Sequence, residues 1–172
     1  GARRRALWLG VLAAAVLLPC GAQASTAQAT QKPFGGLFVV NGSAAAVLLD
    51  AQKLAQLPQH TTHTATPWTD GITRFEGPLA IDALKAAGVT LDKGMTVQAE
   101  ALNGYVIDIP AEDFLRWPVI LAFMADGKPL TRRDKGPLWI VYPRNSDKVL
   151  QDIKYDHRWA WQLKQITIEA TP

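Results

Sequence analysis

A chain of 172 residues with 48% hydrophobic side chains is long enough to bury one good core and short for two. Its formal charge of +3 is supplied by Arg3, Arg4 and Arg5; beyond them basic and acidic residues are equal in number, which excludes an electrostatic footprint for nucleic acid or anionic lipid. The single cysteine, Cys20, lies in the same N-terminal stretch, so the remainder has no thiolate and no disulfide.

In chain order, the three arginines precede an apolar run from Ala6 to Leu18, shorter than the roughly 20 residues of a spanning helix. Ala22-Gln23-Ala24 then offers a small-x-small site. The pattern predicts a secretory signal over residues 1–24, cleaved before Ser25, and a periplasmic protein. Pro19 before Cys20 does not suit lipid attachment, and the rest of a twin-arginine motif is missing. Residues 25–35 are small and polar and read as a flexible leader to a domain over 36–172.

Leu37 to Val40 reads as a strand that turns at Asn41-Gly42, and Ala44 to Leu49 as its return. Asp50 is placed to cap a short helix carrying Leu54 and Leu57 on one face, stopped by Pro58. The threonine-rich run His60 to Thr66 predicts another strand. Pro78 to Ala87 predicts a helix with Ile81 and Leu84 inward and Gly88 as its stop. Thr96–Leu102 and Tyr105–Ile109, joined by Asn103-Gly104, predict a type I′ hairpin. A helical turn over Pro110–Arg116, strands over Val119–Ala125 and Leu138–Tyr142, a turn at Asp126-Gly127 and a closing strand within Trp161–Glu169 complete the reading. The class is α+β: one compact mixed-sheet domain dominated by strands.

Chemistry-bearing residues are sparse. His60 and His63 stand at odd spacing in a strand, which sends them to opposite faces rather than to one metal ion. Neither Ser43 nor Ser146 sits in a Gly-x-Ser-x-Gly elbow, and no Gly-x-Gly-x-x-Gly loop is present. Glu112 and Asp113 read as caps of the short helix. Aromatic residues are more informative. Trp68 lies in a polar loop, Pro67-Trp68-Thr69-Asp70-Gly71, while Arg158-Trp159-Ala160-Trp161 sets a guanidinium beside two indoles. If that segment is extended, Trp159 and Trp161 share a face and Arg158 points away, a combination suited to a flat heteroaromatic ligand.

The order of several short pieces resembles the molybdopterin-binding domain of the sulfite oxidase family. They are Phe75-Glu76-Gly77-Pro78-Leu79, Ala86-Ala87-Gly88-Val89, Asn103-Gly104-Tyr105 with Ile109-Pro110, Ile120-Leu121-Ala122, Asp126-Gly127-Lys128-Pro129-Leu130, Gly136-Pro137-Leu138 with Tyr142-Pro143, and Trp161-Gln162-Leu163 with Ile166. The resemblance runs from about Phe38 to Glu169 and implies a compact α+β fold with a pterin in a surface cleft. On it, Trp159 or Trp161 would stack on the ring, and Trp68, Asn103, Tyr105 and Arg158 would line the cleft.

One departure bears on function. Redox members of that family hold molybdenum through a cysteine in the stretch before the Trp/Phe-Gly segment, and here that stretch reads Gln59-His60-Thr61-Thr62-His63-Thr64-Ala65-Thr66. A threonine hydroxyl does not replace a soft thiolate ligand. The resemblance with this departure implies a periplasmic, non-catalytic sensor. It would bind a reduced pterin without molybdenum and act on the outer domain of a membrane protein that makes or degrades cyclic di-GMP. The alternatives are a molybdopterin-dependent oxidoreductase with a non-cysteine metal ligand, and a ligand-free interaction module.

Overall fold

Burial with a period of two builds the largest sheet. In β5 (Thr96–Ala101), Val97, Ala99 and Ala101 are buried while the polar residues between them face outward. The computed structural model describes residues 35–170, so the expected signal and nearly all of the leader fall outside the described residues. The other strands are β1 (Leu37–Asn41), β2 (Val47–Leu49), β3 (Gln59–Thr64), β4 (Thr73–Pro78), β6 (Val106–Pro110), β7 (Ile120–Ala122), β8 (Met124–Ala125), β9 (Lys128–Pro129), β10 (Trp139–Val141) and β11 (Leu163–Glu169). Three short α-helices, α1 (Ala51–Gln56), α2 (Ala80–Ala86) and α3 (Ala111–Arg116), and 3₁₀ turns including Ile153–Arg158 connect them.

The strands form a five-stranded sheet in the order β2-β1-β11-β5-β6, a four-stranded sheet β3-β4-β8-β9, and a pair β10-β7. Only β1 and β11 run parallel; the remaining pairs are antiparallel. This is the α+β mixed-sheet domain that the sequence predicts. Asp50 caps α1 as expected, accepting from Lys53 N at 2.8 Å, and Leu54 is buried beneath it. β11 closes the large sheet with a bulge between Leu163 and Gln165. The irregularity puts Leu163 on the buried side together with Ile166 and Ile168, although simple alternation would send it the other way.

Two local expectations need correction. Pro78 ends β4, opposite Gln59, instead of opening α2. The strand escaped notice because Gly and Pro at its end and charges at Arg74 and Glu76 disguise it. A Cβ on Gly77 would lie 1.9 Å from the Leu121 carbonyl oxygen, so the glycine is needed for β4 to approach β7. The hairpin between β5 and β6 exists, but only Gly104 has positive φ, at 86°. Ala101 N donates to Tyr105 O and Gly104 N to Ala101 O, the bonding of a three-residue loop with a left-handed glycine. The doubly positive turn sits instead at Asp126 (φ 48°) and Gly127 (φ 79°), between β8 and β9.

Candidate functional site

Small residues on the buried face of β5 make room for a cavity. Ala99 and Ala101 leave space that Val97 fills further along the strand, and the gap is walled by Trp68, Tyr105, Trp159 and Trp161. Its volume is about 90 Å³. Trp159 is buried, Trp68 is 37% exposed and Tyr105 63% exposed, so the lining grades from core to mouth.

The Trp159-Ala160-Trp161 segment follows the Ile153–Arg158 turn, and both of its indoles line the same cavity. Ile140 N donates to Ala160 O at 2.8 Å and Leu163 N to Leu138 O at 3.0 Å, pinning the segment beside β10. Trp68 packs edge-on against Trp161, ring centroids 5.1 Å apart, and lies 6.1 Å from both Trp139 and Trp159. Such tilted aromatic contacts give a rigid apolar wall.

Trp68 also borders a second cavity of about 210 Å³, lined by Phe75, Leu130, Arg133, Lys135 and Trp139 among others. Lys135 Nζ lies 5.4 Å from the Trp161 ring and 5.7 Å from Trp139, a cation held over aromatic faces. One tryptophan therefore borders an aromatic chamber on one side and, on the other, one lined by Arg133 and Lys135 with Asp134 between them.

Of the residues singled out in the sequence, Trp68, Tyr105, Trp159 and Trp161 are thus brought together. Asn103 and Arg158 lie outside the lining of either cavity described. Asn103 Oδ1 accepts from Tyr105 N at 3.0 Å and shapes the hairpin loop. Arg158 belongs to the 3₁₀ turn and not to an extended segment, and its Nη1 meets Asp113 Oδ2 at 2.8 Å. Tyr142 OH donates to the same oxygen at 2.8 Å. Asp113 therefore does not cap α3; no side-chain cap forms there, and its carboxylate ties α3 to β10 and the 3₁₀ turn. Burial and the adjacent Asp113 carboxylate push the Tyr142 phenol well above its ordinary value. Missed in the sequence were Asp156, Arg133 and Lys135, which stand in unremarkable polar stretches, and Ala99 and Ala101, whose role is only to be small.

His60 and His63 fall on opposite faces of β3, and no three metal-ligating side chains gather among the described residues. β3 presents Thr62 and Thr64 to the interior, with Thr62 Oγ1 buried and unpartnered. Near the first cavity, Asp156 Oδ1 and Trp159 Nε1 are likewise buried without a partner. Flat aromatic walls and a neighbouring chamber with two cations suit an aromatic heterocycle with an anionic tail.

The α+β domain thus carries an aromatic-lined cleft. The chain belongs to the oxidoreductase molybdopterin binding domain family, which it matches over residues 37–158. It is 28% identical over 137 residues to the uncharacterized oxidoreductase YuiH of Bacillus subtilis (strain 168), covering 73% of this chain and 69% of that protein. Its fold is similar to that of the sulfane dehydrogenase SoxCD from Paracoccus pantotrophus, with a TM-score of 0.56 at 19% identity. That match covers 77% of this chain but only 37% of the SoxCD chain.

These findings overturn the expectation of a signalling sensor. The family is one of oxidoreductases, and the matched relative is named an oxidoreductase. The family implies a pterin-type cofactor, and the expectation that molybdenum is left out runs against it. The missing cysteine points toward a sensor, but the loss of one ligand does not by itself exclude an oxidoreductase.

Proposed function

We propose that this domain binds a molybdopterin-type cofactor across Trp68 and is the cofactor-holding unit of an oxidoreductase. The observation that carries the reading is the pair of cavities sharing Trp68, within a chain of the molybdopterin-binding family. The heterocycle would be held by Trp68, Trp159 and Trp161, and its phosphate by Arg133 and Lys135. When bound, the cofactor supplies a redox-active metal carried on its own dithiolene sulfurs.

The chain's residues bind, orient and exclude water. Trp139 and Trp159 form a dry floor, and the Trp139 indole N–H donates to the Trp159 backbone carbonyl at 3.2 Å, which fixes the Trp139 ring against that segment. Lys135 is held by its left-handed backbone (φ 69°) and by its carbonyl, which accepts from Gln162 N at 2.9 Å. β3 carries threonines and no thiolate, and a threonine hydroxyl is no substitute for one, so no side chain of β3 is assigned to the metal.

The experiment is cofactor content of the full chain isolated from its native host, for the natural sequence and for Trp68→Ala. Pterin is released by oxidation and read by fluorescence. The natural chain should carry it and Trp68→Ala should lose at least about tenfold while remaining folded, since Trp68 is partly exposed. Equal content in the two would sink the reading. Export is part of the proposal, supported by Arg3–Arg5, the run from Ala6 to Leu18 and Ala22-Gln23-Ala24. Mass spectrometry of the native protein should find Ser25 at its N-terminus; an intact Arg3–Arg5 segment in the processed protein would contradict it.

A further inference from the structure

Four oxidisable rings stand one beside the next, from the aromatic cavity to the half-buried Asp147. Ring centroids are 6.1 Å apart from Trp68 to Trp159, 5.9 Å from Trp159 to Tyr142 and 6.4 Å from Tyr142 to Trp117. Trp68 and Trp159 line the cavity, and Trp159 and Tyr142 are almost wholly buried. Packing explains close rings, but the acceptors along this row differ in a way that packing does not require. Trp159 Nε1 has none. Tyr142 OH donates to Asp113 Oδ2 at 2.8 Å, and Trp117 Nε1 to Asp147 Oδ2 at 2.9 Å. An oxidised phenol is a strong acid that persists only once its proton has left, and a carboxylate in contact takes that proton. An oxidised indole with no acceptor keeps its proton and its charge, and passes the charge on. Tyr155 also touches Trp117, at 5.5 Å, but Arg158 and Lys154 lie 4.6 Å and 5.3 Å from its ring and oppose a positive charge there. Arg116 stands 4.4 Å from Trp117 in the same way, and loss of the Nε1 proton to Asp147 leaves that ring neutral. The row ends at Trp117.

We propose that Trp159, Tyr142 and Trp117 form a route for single electrons between the cavity and the protein surface at Asp147. Trp159 gives one electron to a one-electron oxidant held in the cavity and becomes an indole radical cation. Tyr142 refills it with one electron while the phenol proton crosses to Asp113 Oδ2, leaving a neutral tyrosyl radical. Trp117 then gives an electron to Tyr142; the proton on Asp113 returns to the phenol oxygen, and the Trp117 Nε1 proton moves to Asp147 Oδ2. A one-electron donor in solution reduces Trp117, which recovers its proton. The net change is one electron passed from donor to oxidant, with no proton gained or lost by the chain. Burial and the Asp113 carboxylate keep the Tyr142 phenol protonated until it is oxidised. The use of the route rests on the oxidoreductase reading, while its chemistry does not depend on which ligand the cavity holds.

The test starts the sequence without a cofactor. In the full chain carrying Cys20→Ser and Asp70→Cys, a ruthenium polypyridyl label on the new thiol, at an exposed position beside Trp68, is oxidised by a laser flash. Transient absorption then follows the radicals. A tyrosyl radical should succeed the first tryptophan radical. The chain has three tyrosines, so Tyr105→Phe and Tyr155→Phe should keep the tyrosyl signal and Tyr142→Phe should lose it, with the tryptophan radical persisting. With ascorbate as the donor, Trp117→Phe should lengthen the tyrosyl lifetime several-fold. No tyrosyl radical in the labelled chain, its survival in Tyr142→Phe, or its loss in Tyr105→Phe or Tyr155→Phe would overturn the route, as would an unchanged lifetime in Trp117→Phe. The Tyr105 and Tyr155 variants assign the radical by elimination, so a misfolded Tyr142→Phe leaves the test intact. Failure of the cofactor reading shows separately, as absence of pterin from protein taken from the native host.

Discussion

Asp113 shows how a single side chain can be misassigned from sequence and still matter. It sits in the first turn of α3, where an acidic residue suggests helix capping, yet its partners are Arg158, 45 residues on, and Tyr142. Both members of the ion pair are largely buried, at 18% and 7% side-chain exposure. Removing one partner leaves the other charged and dry, so Arg158→Met should cost about 3–5 kcal/mol in urea unfolding. The raised Tyr142 phenol adds a pH signature. Its folded value lies above its unfolded one, so the associated stability is complete below about pH 10 and is lost as pH rises further. Tyr142→Phe should flatten the alkaline limb of a stability-pH curve; identical limbs in the two proteins would refute the assignment. Arg158 thus supports the site from behind, holding the turn that delivers Trp159.

Elements fix the cavity more than any one ligand-facing residue does. β5 carries Ala99 and Ala101 on its buried face, and their small size leaves the gap. Ala101→Leu should fill it, abolishing pterin content with a stability change within the roughly 1–3 kcal/mol of overpacking; retained cofactor would show that the ligand lies elsewhere. On β4, Gly77→Ala should exceed that range, because the added carbon meets backbone at Leu121 and not a movable side chain. A melting temperature equal to that of the natural chain would contradict the close approach. Much of this architecture was legible in the sequence: β1, α1, the β5–β6 hairpin and β11 announce themselves through alternation, an Asp cap and Asn-Gly. The turn geometry was not, since Asn-Gly suits both a two-residue loop and the longer loop that forms. β4 was hidden because a strand ending in Gly-Pro breaks propensity rules where tertiary contact demands it. The aromatic half of the site was readable because four residues, Trp68, Tyr105, Trp159 and Trp161, are costly to place without a partner. The cationic half was not, since Arg133 and Lys135 look like ordinary surface charge until the chain brings Trp68 alongside.

At the scale of the molecule, three sheets and their connections place one exposed loop, Pro67 to Gly71, over the junction of β5, β10 and the entry to β11. That arrangement builds the cavity walls from packing, with no cysteine among the described residues. The most direct measurement is elemental and pterin analysis of the full chain taken from its native host. Molybdenum and pterin in near-stoichiometric amounts are the predicted result. Protein that is folded and carries neither would contradict the account.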